Sequence, residues 1–155
     1  IGRVQGKTVG GGVGLAAAVD HCLATKFAAV KLSELAVGIG PFVVGPAVER
    51  KLGVPGMAAL AVDARSFKSA EWAANRGLYA EVFPTVEELD QAVDRLASEL
   101  ASSNPDAMAH LKRTLWEGTE HWDALLNERA AISGRLVLSE FTRNAIASFK
   151  ASKST

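Results

Sequence analysis

The hydrophobic and polar positions change their rhythm a little past the middle of the chain. Up to about residue 84, short apolar runs alternate with glycine-rich breaks; beyond it, apolar residues recur every three or four positions between polar ones. The first pattern predicts short strands interleaved with helices and the second a helical region, so the expected class is mixed α/β with a helical C-terminal part. Arg3 to Gln5 read as the end of a strand, Gly10-Gly11-Gly12 as a flexible turn, and Val13 to Val19 as a small-residue helix suited to close packing on a sheet. His21 to Thr25 and Ala28 to Lys31 read as two more short strands around a turn at Lys26. Two helices follow, Phe42 to Leu52 and Val54 to Val62, parted by Gly53. Ser69 to Arg76 reads as a helix with Ser69 as its N-cap and Gly77 just past its end, and Tyr79 to Phe83 as a final strand.

In the second half, Thr85 with Glu88 makes a capping box ahead of Leu89, Val93, Leu96 and Leu100 at helical spacing. Asn104 caps and Pro105 opens the next helix, whose apolar stripe is Met108, Leu111 and Leu115. A last long helix is expected to bury Trp122, Leu125, Ile132 and Leu136 and to extend or bend toward Phe141, Ile146 and Phe149; the tail from Ala151 to Thr155 is expected to be disordered. There is no internal repeat. The division that follows is an α/β part over residues 1–84 and a helical part over 85–155.

Composition narrows the function classes. The chain has 155 residues, 48% of them hydrophobic, enough to bury a core. Seventeen Lys and Arg balance seventeen Asp and Glu, so no overall basic field favours nucleic acid, and any charged ligand has to be recognised locally. The single Cys22 excludes an intrachain disulfide framework and agrees with a reducing compartment; cytoplasmic is the expectation. No membrane partner is expected: the longest apolar candidate, Leu35 to Val48, is broken by Gly38, Gly40, Pro41, Gly45 and Pro46.

The richest stretch for chemistry is Gly6-Lys7-Thr8-Val9-Gly10-Gly11-Gly12-Val13-Gly14-Leu15-Ala16, leading to Asp20. Three glycines ahead of a helix leave backbone N–H groups unhindered at its positive end, which suits an anion or a developing oxyanion. A tight turn with close helix packing accounts for the same glycines. A Rossmann fingerprint fits poorly, because no acidic residue is clearly placed at a strand end about 20 residues beyond the loop. A P-loop is not expected either. Glu34 lies among Leu32, Leu35, Ala36 and Val37, a setting that raises a carboxyl pKa by desolvation and makes a usable base near neutral pH. An ordinary solvated loop carboxylate is the alternative.

The order of these elements resembles the crotonase superfamily, the enoyl-CoA hydratase/isomerase group. The matching residues are Gly10 to Gly12, Leu15-Ala16, Asp20, Ser33-Glu34, Gly38 and Pro41, then Ala70 through Ala74 to Gly77-Leu78, over a span from about Arg3 to Lys150. The resemblance implies a spiral of ββα units followed by a helical oligomerisation region, with homotrimers or dimers of trimers. It also implies an acyl-CoA substrate and no separate cofactor. In that family a thioester carbonyl lies between two backbone donors. The resemblance makes Gly11 N–H one of them, and Gly10, Gly12, Gly14, Gly38, Pro41 and Phe42 substrate-binding positions. The other donor belongs to a segment expected to precede Ile1, so this chain is expected to hold half of the oxyanion hole, as the C-terminal part of the usual chain. Glu34 is the implied proton-transfer residue.

One departure from the family pattern bears on mechanism. Hydratases of the group usually carry a second glutamate two residues after the glycine triplet, and Gly14 stands there in this chain. Two carboxylates can hold and activate a water, whereas one can take a proton from C2 and return it at C4. Pro41-Phe42 after Gly38 resembles the pair in single-glutamate enoyl-CoA isomerases, so isomerisation is favoured over hydration. A non-catalytic acyl-CoA-binding or assembly module is the alternative. Asp20 is expected to hydrogen-bond locally after its helix, and Lys31 either to pair with Glu34 or to face solvent. Glu120-His121 reads as a hydrogen-bonded pair, Cys22 as buried core, and Trp72, Trp116 and Trp122 as core or interface aromatics. His21, His110 and His121 lack ligand spacing, so no metal site is expected.

Overall fold

Two parallel sheets, separate from one another, set the frame of the α/β part. In the computed structural model, which describes residues 1–151 and side chains through Ser148, β1 (Gly2–Val4), β3 (Cys22–Thr25) and β5 (Glu81–Phe83) form a parallel sheet in the order β1-β3-β5. β2 (Thr8–Val9) and β4 (Val30–Lys31) form a second, two-stranded parallel sheet with Thr8 opposite Val30 and Val9 opposite Lys31. All four residues of β3 are buried, as expected of a central strand covered on both faces. Tails of the expectations for Phe149 and for residues 152–155 lie outside the described side chains and residues.

Helix α1 (Gly11–Ala18) joins β2 to β3 and buries Val13, Gly14, Ala16 and Ala17. Its lack of bulky side chains lets it lie close to α2 (Gly45–Val62). The helix begins inside the glycine triplet, with Gly10 as N-cap and Gly11 and Gly12 helical, which corrects the expectation of a three-residue flexible turn. Within α2, Gly53 leaves helical geometry at φ 68°, ψ 169°, so the two expected helical pieces meet at a kink where a glycine is needed. The main core draws on α1, β3, β4, α2 and the following α3 (Ala70–Ala74), with Leu32, Val48, Leu60, Leu78 and Tyr79 nearly or fully buried. Tyr79 lies ahead of β5 rather than inside it, because its hydroxyl donates to Ala28 O at 3.0 Å and its side chain fills the core.

Capping chemistry sets the helix starts much as the sequence indicates. Ser69 accepts from Trp72 N, Thr85 accepts from Glu88 N at 3.2 Å ahead of α4 (Val86–Ala101), and Asn104 accepts from Asp106 N and Ala107 N ahead of α5 (Pro105–Leu115). The long final helix divides into α6 (Trp122–Val137) and α7 (Glu140–Ala151), a break consistent with Ser139 acting as a local cap for Thr142 N. Trp122, Leu125, Ile132 and Leu136 are half-buried rather than fully buried, and Met108, Leu111 and Leu115 on α5 stand exposed. The helical spacing there was legible; the covering of its apolar face was not, because α5 lies at the periphery with no buried residue. Among the described residues, no helix is long and apolar enough to cross a membrane.

Candidate functional site

The parallel pairing of β2 with β4 decides where the chemistry-bearing residues meet. Both strands end at the same edge, so the glycine turn leaving β2 and the Ser33-Glu34 segment leaving β4 come side by side. Gly10 N donates to Lys31 O at 2.9 Å and locks the two exits together. The carboxyl ends of parallel strands are where α/β folds leave room for ligands.

Gly10 has φ 55°, a conformation that L side chains rarely adopt, and a β-carbon there would sit 3.1 Å from Glu34 Oε1. The missing side chain thus lets the Glu34 carboxylate pack against the backbone. Val13 N donates to Gly10 O, whereas the N–H groups of Gly11 and Gly12, at the first positions of α1, have no acceptor among the described residues. Gly11 is exposed and no atom crowds its free side. Gly11 is thus an unhindered donor at the positive end of a helix, whereas Gly12 has the Thr8 side chain against it.

Glu34 precedes a 3₁₀ turn, Leu35–Val37, which closes through Val37 N to Glu34 O at 3.1 Å and Gly38 N to Leu35 O at 3.1 Å. Its Oε2 is buried with no hydrogen-bond partner among the described residues. Burial pushes the Glu34 carboxyl above its ordinary range, and the carboxyl's contact with its own backbone N–H offsets part of that rise. Lys31 neither pairs with Glu34 nor projects freely: its ammonium lies 4.4 Å from the centroid of the Phe67 ring. A buried carboxyl oxygen without a donor, on a group held toward its protonated form, is what a proton acceptor from a weak carbon acid requires.

The remaining expected site residues divide by position. Gly14 is buried on the face of α1 that meets α2, and a β-carbon on it would lie 2.6 Å from Val44 Cγ1. The position is occupied by helix packing. Gly38, at φ 83°, lies beneath Phe141 and Thr142 of α7. Gly40 is covered by the Phe42 ring, whose nearest atom would be 2.3 Å from a β-carbon on Gly40. Pro41 and Phe42 line a cavity of about 400 Å³ with Met57, Leu125 and Ile132 and the charged Glu49, Glu128 and Arg129.

Asp20 does not make the local hydrogen bond expected of it after α1. Its carboxylate accepts from Lys112 Nζ and from Trp116 Nε1, while its carbonyl accepts from Lys51 Nζ. Burial pushes its carboxyl up, but the bonds from Lys112 and Trp116, with the charges of Lys112 and Lys51, outweigh that and leave it below its ordinary value. Glu120 bonds Gly118 N rather than His121. Cys22 is core, its thiol pushed up to about 11 by burial. Among the described residues, no three His, Cys, Asp or Glu groups gather as a metal site would need. Sequence reading missed Val44, Phe141 and Thr142. The run of small residues in α1 signals a close neighbour without identifying it, and Ser139 three residues before Thr142 is a capping signal that could have marked the start of α7.

Known proteins place this arrangement. The family model described as enoyl-CoA hydratase/isomerase matches residues 1–147. The chain is 31% identical over 124 residues to a peroxisomal Delta(3,5)-Delta(2,4)-dienoyl-CoA isomerase of Arabidopsis thaliana, covering 77% of this chain and 43% of that protein. Its structure is similar to that of an enoyl-CoA hydratase from Mycobacterium avium, with TM-score 0.85 and 25% identity over 96% of this chain and 58% of the other. A putative enoyl-CoA hydratase from Streptomyces avermitilis matches with TM-score 0.78 and 26% identity over 91% of this chain and 51% of the other. The chain therefore spans about half the length of the relatives it matches. With parallel β2 and β4 holding the glycine turn against Glu34, and the family model running over nearly the whole chain, the protein belongs to the enoyl-CoA hydratase/isomerase family of the crotonase superfamily.

Proposed function

We propose that this chain carries the base and one backbone donor of an enzyme that moves a double bond in an acyl-CoA thioester, with isomerisation favoured over hydration. The observation that carries the reading is the buried Oε2 of Glu34 beside the Gly11 N–H, neither of which has a partner among the described residues. Glu34 takes a proton from C2 of a 3-enoyl thioester, and the electron pair left behind delocalises onto the thioester oxygen. Gly11 N–H donates to that developing oxyanion. The protonated Glu34 then returns its proton at C4, and the bond order shifts to give the 2-enoyl isomer. No cofactor enters this scheme, because the thioester acidifies C2 and the backbone dipoles stabilise the charge.

Two observations favour isomerisation. The position where a second, water-holding carboxylate would stand is Gly14, and Val44 fills the space beside it. The similar protein from Arabidopsis thaliana is itself named a dienoyl-CoA isomerase. The resemblance also supports assembly as a homotrimer or dimer of trimers, and the exposed Val137, Leu138 and Phe141 offer apolar surface for it.

The test offers 2-enoyl-CoA and 3-enoyl-CoA separately to the protein and follows ultraviolet absorbance of the conjugated thioester. A rise with the 3-enoyl substrate, abolished by Glu34→Gln, supports the reading. A fall with the 2-enoyl substrate assigns hydration instead. Binding of acyl-CoA without turnover favours the non-catalytic module.

A further inference from the structure

The 3₁₀ turn that carries Glu34 has little of its own to hold it. It is three residues long, none of them is buried, and runs of this kind are short-lived without tertiary support. Its support comes from the far end of the chain. At Gly38, where the turn ends in the left-handed region, a β-carbon would lie 2.7 Å from Thr142 Oγ1 and in still closer conflict with the ring of Phe141. The backbone of the turn is therefore pressed directly against the first turn of α7.

Thr142 is fully buried, one of two polar side chains in that state among the described residues. Its hydroxyl accepts from Ser139 Oγ at 3.1 Å, and its N–H donates to the same Ser139 Oγ at 3.3 Å. The start of α7 is thus a braced unit, and the atom it presents to Gly38 has a defined position. Displacement of Gly38 has a short route to Glu34, since Ile39 N donates to Glu34 O at 3.0 Å and Gly38 N to Leu35 O at 3.1 Å. On the other side, the carboxylate already abuts Gly10. Glu34 is thus held by Gly10 at its carboxylate and by the backbone bonds that lead to Gly38.

We infer that the start of α7 is the positioning element for Glu34, with Thr142 as the positioning residue, acting through its contact with Gly38. The inference rests on the reading of Glu34 as the base. An element so remote in sequence matters because a misplacement of about 1 Å of a reacting group can cost about a hundredfold in rate. Charged neighbours do not supply the control instead. Lys31 lies over Phe67, Asp63 at the end of α2 is bonded to Lys68, and Arg65, Glu140 and Arg143 are exposed.

The experiment is a pH titration of the Glu34 carboxyl by carbon-13 NMR in the full chain, run on the unmodified protein and on Thr142→Ala, Thr142→Val and Phe141→Ala. Thr142→Ala removes the atom that presses on Gly38, whereas Thr142→Val keeps the shape. Phe141 is largely exposed, so its truncation tests the same contact without opening the interior. The expected result is a midpoint that falls toward that of an ordinary glutamate in Thr142→Ala and Phe141→Ala and stays in place in Thr142→Val, with circular dichroism unchanged. In turnover, the two truncations are expected to lower kcat about tenfold or more with KM nearly constant. Midpoints unmoved in both truncations would overturn the inference, whatever happens to stability. The two readings separate cleanly: if Glu34→Gln leaves turnover intact while Thr142→Ala still moves the titration, the base assignment falls and the positioning contact stands.

Discussion

Gly14 and Val44 touch so closely that a β-carbon on Gly14 would sit 2.8 Å from Val44 Cβ as well as 2.6 Å from its Cγ1. The contact joins α1 to α2 and explains why α1 can carry the glycine turn on a helix made almost wholly of small residues. Gly14→Ala is therefore expected to lose about 1–3 kcal/mol of stability by overpacking, and Gly14→Glu more. Introducing a second carboxylate at residue 14 should cost the fold before it adds a water-holding group. Val44→Gly clears the side chain facing Gly14, so the Gly14→Ala/Val44→Gly pair should be more stable than the sum of the two single losses. Urea denaturation of the four proteins in the cycle measures that coupling, and additive losses would mean the contact is loose.

Glu34 carries a stability cost with a defined sign. Burial holds its carboxyl above the ordinary value of 4.5, so the folded chain binds that proton more tightly than the unfolded chain does. The favourable contribution is complete below the unfolded pKa and is lost as pH rises toward the folded one. Glu34→Gln cannot ionise and escapes the loss. Compared with the natural chain, it should therefore gain stability progressively from acid to neutral pH. The check is the difference in denaturation midpoint between the two proteins across that range; a difference independent of pH would show that the carboxyl is solvated.

Much of this arrangement could be read from the amino-acid order, and the unread part has a common physical cause. The α/β-to-helical change, the Thr85 and Asn104 caps and the Gly53 break depend on neighbours within a few residues. Local pattern is sufficient for those. Gly14 against Val44, Gly38 under Thr142 and Asp20 bonded to Lys112 depend on which elements pack together. Periodicity carries no information on that. A glycine that frees a backbone donor, such as Gly11, and one that admits a neighbouring helix, such as Gly14, look alike until their surroundings are known.

Asp20 ties the end of α1 to α5 through Lys112 Nζ at 2.8 Å and Trp116 Nε1, and Trp116 in turn packs edge-on against Trp122 with ring centroids 5.8 Å apart. Its carboxyl lies below the ordinary value despite the opposing effect of burial, so its contribution is present above the unfolded pKa and disappears as pH falls through the folded one. Asp20→Asn should lose about 1 kcal/mol at neutral pH, a modest figure because the pair is partly exposed, and the loss should shrink in acid. Thermal denaturation at neutral and acid pH distinguishes this tie from a neutral packing contact, whose loss would be the same at both.

Cys22 offers a direct test of how firmly the central sheet is closed. It lies on β3 between β1 and β5, nearly fully buried, and burial pushes its thiol up to about 11. At neutral pH the thiolate that attacks alkylating reagents is scarce, and the reagent has no path to it while the sheet is intact. Modification by a soluble disulfide reagent should therefore be slow in the folded chain and rapid in denaturant. Because the path opens with the sheet, the folded-state rate should also rise in Gly14→Ala, which destabilises the same core by overpacking the α1–α2 contact. Fast labelling of the unperturbed chain would mean that β3 is reached by local opening well below the cost of global unfolding, and that the three-stranded sheet is less rigid than its burial implies.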